Sequence, residues 1–149
     1  MAYDIDPQAP AAAAAEETIQ APLEVVWTTL TDLAAWPRWN EAVASMQAPP
    51  SLRPGATFRW EAGGMRISSR LEDVAAPARI AWSGRTFGVK ARHVWELEPR
   101  DGATLVRTRE SFGGWLPWLF RAPLRGMLER SLRQGLAALR AEAERAAAP

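Results

Sequence analysis

The chain has 149 residues, with 18 Lys and Arg against 17 Asp and Glu and no cysteine. That length suits one domain, and so even a charge balance leaves no large net field to attract nucleic acid or anionic lipid. Without cysteine there is no disulfide framework, thiol nucleophile or thiolate metal site, and a reducing cytoplasm is the natural compartment.

Asp4 and Asp6 stand where a secretory leader would be basic, and the run Ala11 to Ala15 is too short for a leader's apolar core or a membrane span. Residues 1–14, with Pro7 and Pro10, show no apolar pattern with which to dock and read as a flexible tail, leaving residues 15–147 as the folded domain. A short strand is expected near Glu16 to Gln20. Pro22 then suits the first turn of a helix, and Leu23, Val26, Trp27, Leu30 and Leu33 recur at three- and four-residue spacings that make one apolar face. A second short helix or turn holds Trp36-Pro37-Arg38-Trp39-Asn40, with the two tryptophans shaping the loop at the mouth of a pocket and Asn40 capping or bracing it. Val43 and Met46 begin a strand that stops before Pro49-Pro50.

From Pro54-Gly55 to Gly114 the chain reads as a meander of strands punctuated by Gly63-Gly64, Ala75 to Ala78, Gly84 to Gly88 and Asp101-Gly102. Neighbouring side chains on a strand point to opposite faces. Phe58 and Trp60 therefore share a face, as do Met65, Ile67, Ser69 and Leu71, then Ile80 and Trp82. Val89, Ala91, His93, Trp95 and Leu97 follow, and last Thr104, Val106, Thr108 and Glu110. A two-residue turn at Asp101-Gly102 pairs Arg100 with Ala103, Leu97 with Val106, Trp95 with Thr108 and His93 with Glu110, so the sole histidine faces a carboxylate. Beyond Gly113-Gly114 the chain turns helical. Leu124, Met127, Leu128, Ser131, Leu132, Gly135, Leu136 and Leu139 give it a broad apolar side, and Pro123 and Gly126 argue that its first turns are kinked or separate.

Ala21-Pro22 with Val26-Trp27, Trp36-Pro37 and Trp39-Asn40, Pro54-Gly55 before Phe58 and Trp60, Trp82 with Gly84, Ala91 with His93 and Trp95, and the long last helix occur in one order. In that order the chain resembles the START-like helix-grip superfamily, and within it the bacterial polyketide cyclase/dehydrase and lipid-transport (SRPBCC) group. The resemblance implies an α+β helix-grip fold: a curved antiparallel sheet of about six or seven strands wrapped around the C-terminal helix, with two short helices after the first strand. It also implies a cavity between sheet and helix for a hydrophobic small molecule such as a lipid, quinone or polyketide. It does not imply an enzyme, because the group includes carriers and sensors as well as cyclases.

On that fold the expected ligand contacts are Phe58, Trp60, Ile67, Ser69, Trp82, His93, Trp95, Thr108, Glu110, Leu124, Met127 and Ser131. Eight tryptophans against one tyrosine either fill a wide core or line that cavity. His93 and Glu110 are the candidate acid–base pair of a cofactor-free cyclase, dehydratase or isomerase. The plainer reading is preferred: His93 held by hydrogen bonds in the core, Glu110 reaching solvent or an arginine such as Arg121, and the protein a binder or carrier. Aromatase-type cyclases of the superfamily use pocket Arg, Tyr and Ser side chains, whereas the only tyrosine here is Tyr3. One histidine and no cysteine make no usual zinc set, and no Gly-rich phosphate loop follows a strand, so neither metal nor nucleotide cofactor is expected. Trp115, Leu116, Trp118, Leu119 and Phe120, followed by Arg121 and Arg125, read as a pocket lid or packed helix start in preference to a membrane contact, no polybasic cluster being evident. A protein-docking role for this segment is the minor alternative.

Overall fold

The computed structural model describes residues 2–149. Among them, β1 (Ala11–Ile19), β2 (Val43–Gln47), β3 (Thr57–Ala62), β4 (Met65–Ala75), β5 (Arg79–Thr86), β6 (Val89–Arg100) and β7 (Ala103–Gly113) form one antiparallel sheet. Its order is β1-β7-β6-β5-β4-β3-β2. Between β1 and β2, which lie at opposite edges, come α1 (Leu23–Thr31), a 3-10 turn (Leu33–Ala35) and α2 (Trp36–Trp39); α3 (Trp115–Leu119) and α4 (Arg121–Ala147) follow β7. This is an α+β helix-grip arrangement, with the curved sheet wrapped around α4.

Local chemistry sets the elements. Asp101 and Gly102 both take positive φ, at 50° and 84°, as a two-residue hairpin turn with the right-handed strand twist requires. The β6–β7 register that follows pairs Arg100 with Ala103 and His93 with Glu110. Pro22 opens α1 and Glu24 lies in its first turn, while Val26, Trp27, Leu30 and Thr31 are buried. The Thr104 hydroxyl donates to the Ala21 carbonyl at 2.8 Å, tying the start of α1 to β7. On α4 the buried stripe is Leu128, Leu132, Leu136, Leu139 and Ala143, the three- and four-residue spacing of a helix with one covered side. Leu136, Leu139 and Ala143 join Ile19, Val106 and Trp95 of the sheet and Leu30 of α1 in one core.

Three expectations are corrected. The first strand begins at Ala11, inside the segment read as a tail, and Ala11 is fully buried. Alternating alanines carry no contrast between apolar and polar faces, so no period of two was legible; β1 nonetheless pairs with β7 along its whole length and lies against α4. Residues 2–10 are not loose either. They cross the convex face, where Arg79 donates to the Tyr3 carbonyl, Arg109 pairs with Asp4 and the Asp6 amide donates to Ser111 Oγ at 3.0 Å. Beneath them the outward-facing Ala81 and Val94 are fully buried. Third, Ser131 is exposed, because at 100° per residue it lies well off the leucine stripe.

Candidate binding site on the concave face

His93 and Glu110 are cross-strand neighbours on adjacent long strands, and the pleat turns both toward α4. His93 Nδ1 lies 3.5 Å from Glu110 Oε2, and the two side chains keep only 11% and 14% of their exposure. On its other nitrogen, His93 Nε2 shares a 2.8 Å hydrogen bond with Thr108 Oγ1. Trp82 and Trp95 flank the imidazole, with ring centroids at 4.9 Å and 5.3 Å. Trp95 is 6% exposed, and its indole Nε1 is buried without a hydrogen-bond partner. An orphaned buried N–H is unusual and costs about 1–3 kcal/mol.

Burial controls the protonation of the pair. Loss of hydration lowers the His93 imidazole from 6.5 to about 3 and raises the Glu110 carboxyl from 4.5 to about 8. Their mutual attraction opposes both shifts, and desolvation outweighs it. Between about pH 3 and about pH 8 the pair therefore holds one proton, on Glu110, beside a neutral imidazole. Such a pair presents an acid and a base to the same small volume at neutral pH.

The other expected contacts divide. Trp60 and Trp82 pack ring to ring with Trp36, whose centroid is 5.5 Å from both, and Phe58 packs on Trp60 and Trp82. Trp36 is 4% exposed and donates its indole N–H to the Leu30 carbonyl, so it belongs to the core rather than to a loop at a pocket mouth. Trp60 Nε1 donates to Ser69 Oγ at 3.1 Å, which takes one of the two acceptor positions of the serine expected to orient a ligand. Ile67, Leu124 and Met127 are half-buried, and Ser131 is outside the site. Glu110 is paired with His93; Arg121 lies instead over the Trp118 ring. Asn40 does brace its loop, its Oδ1 accepting from the Ala42 amide and from Gln134 Nε2 on α4.

Two surface grooves lie elsewhere and include none of the twelve expected contacts. One of about 440 Å³ runs between α1 and the end of α4, past Thr28, Arg38 and Arg145. The other, of about 380 Å³, is on the convex face between Tyr3 and Lys90. Among the described residues no three His, Asp or Glu side chains cluster as metal ligands, and no helix is long and apolar enough to cross a membrane.

Gly84 shows how closely the concave wall is built: a Cβ there would lie 3.2 Å from Ser69 Oγ and 3.4 Å from Ile67. Two features were missed from the sequence. Phe112 continues the inner face of β7 two residues beyond Glu110 and is half-buried; the alternation alone could have found it. The strap of residues 2–10 had no such signal.

The sheet, the gripped helix and a polar pair set among aromatic rings define a START-like helix-grip protein. Residues 10–144 match the family model described as polyketide cyclase / dehydrase and lipid transport, and the chain belongs to that family. No curated protein matches it in sequence. Solved structures share the fold. A hypothetical protein from Helicobacter pylori is 18% identical with a TM-score of 0.81, over 93% of this chain and 91% of that one. A START superfamily protein from Mycobacterium smegmatis is 14% identical with a TM-score of 0.76, over 90% and 97%. The Zhui aromatase/cyclase from Streptomyces sp. R1128 is 20% identical with a TM-score of 0.78, over 90% and 93%.

Proposed function

We propose that the protein binds a hydrophobic small molecule of the lipid, quinone or polyketide kind between the sheet and α4, as a binder or carrier. The observation that carries this reading is the unpartnered indole N–H of Trp95, buried beside His93 on the concave face. A ligand carbonyl or hydroxyl accepting from Trp95 would remove the cost of the orphaned donor, while the apolar walls supply affinity. Phe58, Trp60 and Trp82 pack on one another here, so ligand entry is expected to move rings or the half-buried Leu124 and Met127 at the start of α4.

Native mass spectrometry of the freshly purified, untagged chain tests this. A defined extra mass that is released on denaturation and diminished in Trp95→Phe supports it. A clean unliganded mass, together with unchanged tryptophan emission and thermal midpoint on adding fatty acids, quinones and aromatic polyketides, counts against it.

A second reading, favoured by the single proton held between Glu110 and His93, is a cofactor-free cyclase, dehydratase or isomerase. Glu110 would protonate a carbonyl or leaving hydroxyl and His93 would accept a proton from carbon. Once turnover of an enolisable substrate is measured, Glu110→Gln and His93→Gln should bind normally and lose rate by about a hundredfold or more. Full rate in both variants would leave binding alone.

A further inference from the structure

The turn between β5 and β6 and the short helix α3 meet at one end of the molecule. Phe87, Trp115, Trp118, Leu119 and Phe120 project there with 79%, 54%, 63%, 60% and 53% of their surface exposed. The segment is thus not the packed helix start that the sequence suggested. The two elements are joined firmly: Leu116 N–H donates to the Gly88 carbonyl at 3.2 Å, and the Phe87 and Trp115 rings meet edge to face at 5.4 Å. Trp115, Trp118 and Leu119 are spaced three and four residues apart, so α3 turns one side outward while Pro117 is buried beneath. Isolated exposed hydrophobic residues are ordinary, whereas five large ones on two joined elements are not.

The charges around this apolar end are one-signed along the chain. Residues 84–95 and 111–128 include Arg85, Lys90, Arg92, Arg121 and Arg125 and no aspartate or glutamate; Glu96, Glu110 and Glu129 lie just outside them, Glu96 paired with Arg79 and Arg109 and Glu110 buried against His93. Arg121 sits over the Trp118 ring, 5.8 Å from its centroid, bringing a cation to the patch itself. Asp6 and Glu72 line the neighbouring convex groove, where Arg85, Lys90 and Arg92 outnumber them. A second copy docking through the same patch would set these cations against themselves. Tryptophan and phenylalanine flanked by arginine instead match the boundary between anionic headgroups and acyl chains, where indole rings partition and guanidinium groups reach phosphate.

We propose that this end docks the protein on a lipid bilayer that carries anionic headgroups, with Phe87, Trp115, Trp118, Leu119 and Phe120 inserted to the interfacial depth and Arg121 among the phosphates. The patch adjoins the candidate site: Gly113, which leads into α3, pairs with Lys90, three residues before His93. Docking there would place the start of α4 against the membrane. The inference stands on the surface alone and does not depend on what the concave face holds.

The test is flotation of the full chain with vesicles of phosphatidylcholine, alone or mixed with phosphatidylglycerol. The expected result is binding to the mixed vesicles at low salt that weakens with added salt and on phosphatidylcholine alone. Trp118→Ser with Leu119→Ser, and separately Phe87→Ser on the other element, should each reduce partitioning by about tenfold or more. Arg121→Gln should reduce it by about fivefold on the anionic vesicles only. These side chains are exposed, so circular dichroism and the thermal midpoint should match wild type. The proposal is overturned by absence of flotation with anionic vesicles, by equal flotation of the Trp118/Leu119 and Phe87 variants and the wild type, or by a dimer in sedimentation velocity that Trp118→Ser abolishes. Any of these leaves the mass-spectrometric test of the concave site standing on its own.

Discussion

Replacing Glu110 by glutamine should flatten one limb of the stability–pH curve. Glu110 is raised from 4.5 to about 8, so the stability it contributes is fully present below pH 4.5 and is lost as pH rises toward about 8. His93 is lowered from 6.5 to about 3, so its contribution is present above pH 6.5 and is lost as pH falls toward about 3. Between 4.5 and 6.5 the two slopes oppose and cancel: on unfolding Glu110 releases a proton and His93 takes one up. Wild type should therefore show a plateau there, with falling stability on both sides from this pair. On the alkaline side the slope is about 1.4 kcal/mol per pH unit. From pH 6.5 to 8 that amounts to about 2 kcal/mol, reduced toward about 1 kcal/mol by the residual exposure and by the attraction between the partners. Urea denaturation at several pH values, with the slope against denaturant checked for constancy, measures it. The carboxamide of Glu110→Gln keeps a hydrogen-bond donor and cannot ionise, so the variant should lose the alkaline limb and keep the acid one. Parallel curves for wild type and Glu110→Gln across pH 6.5–8 would refute the protonated-carboxyl assignment.

On α4, Leu128 is fully buried and Ser131 is exposed one turn away; Leu128→Ala should cost about 3 kcal/mol and Ser131→Ala less than about 0.5 kcal/mol in the same denaturation experiment. Gly114 has φ of 104°, and a Cβ there would lie 2.5 Å from the Gly88 carbonyl oxygen. Gly114→Ala should therefore destabilise by about 2 kcal/mol or more and raise hydrogen exchange at the Leu116 amide, which bonds to Gly88. Asp6 holds the N-terminal strap through its amide on Ser111 Oγ; Ser111→Ala should cost about 1 kcal/mol and speed exchange at Asp6 while leaving α4 unaffected.

The sequence alone determined the strand meander and the hairpin register, because those depend on local signals, and it indicated the fold class through the family resemblance that its ordered motifs carry. The positive-φ turn at Asp101-Gly102 counts off the pairing of His93 with Glu110, and leucines at helical spacing mark the covered side of α4. What lacks contrast was illegible. The alanines of β1 alternate between identical side chains, and the dipeptides of residues 2–10 dock only because arginines from three strands converge on them. The fate of the tryptophans was also beyond periodicity, which assigns a residue to a face but not to the neighbour that fills the space before it. Tertiary packing decided that Trp36 closes on Trp60 and Trp82, that Ser69 accepts from Trp60 and that the Trp95 N–H is left without a partner. It also decided the protonation of His93 and Glu110. Their adjacency is a matter of register, but a pKa follows from how much water is removed around both groups at once, and that depends on every element packed against them.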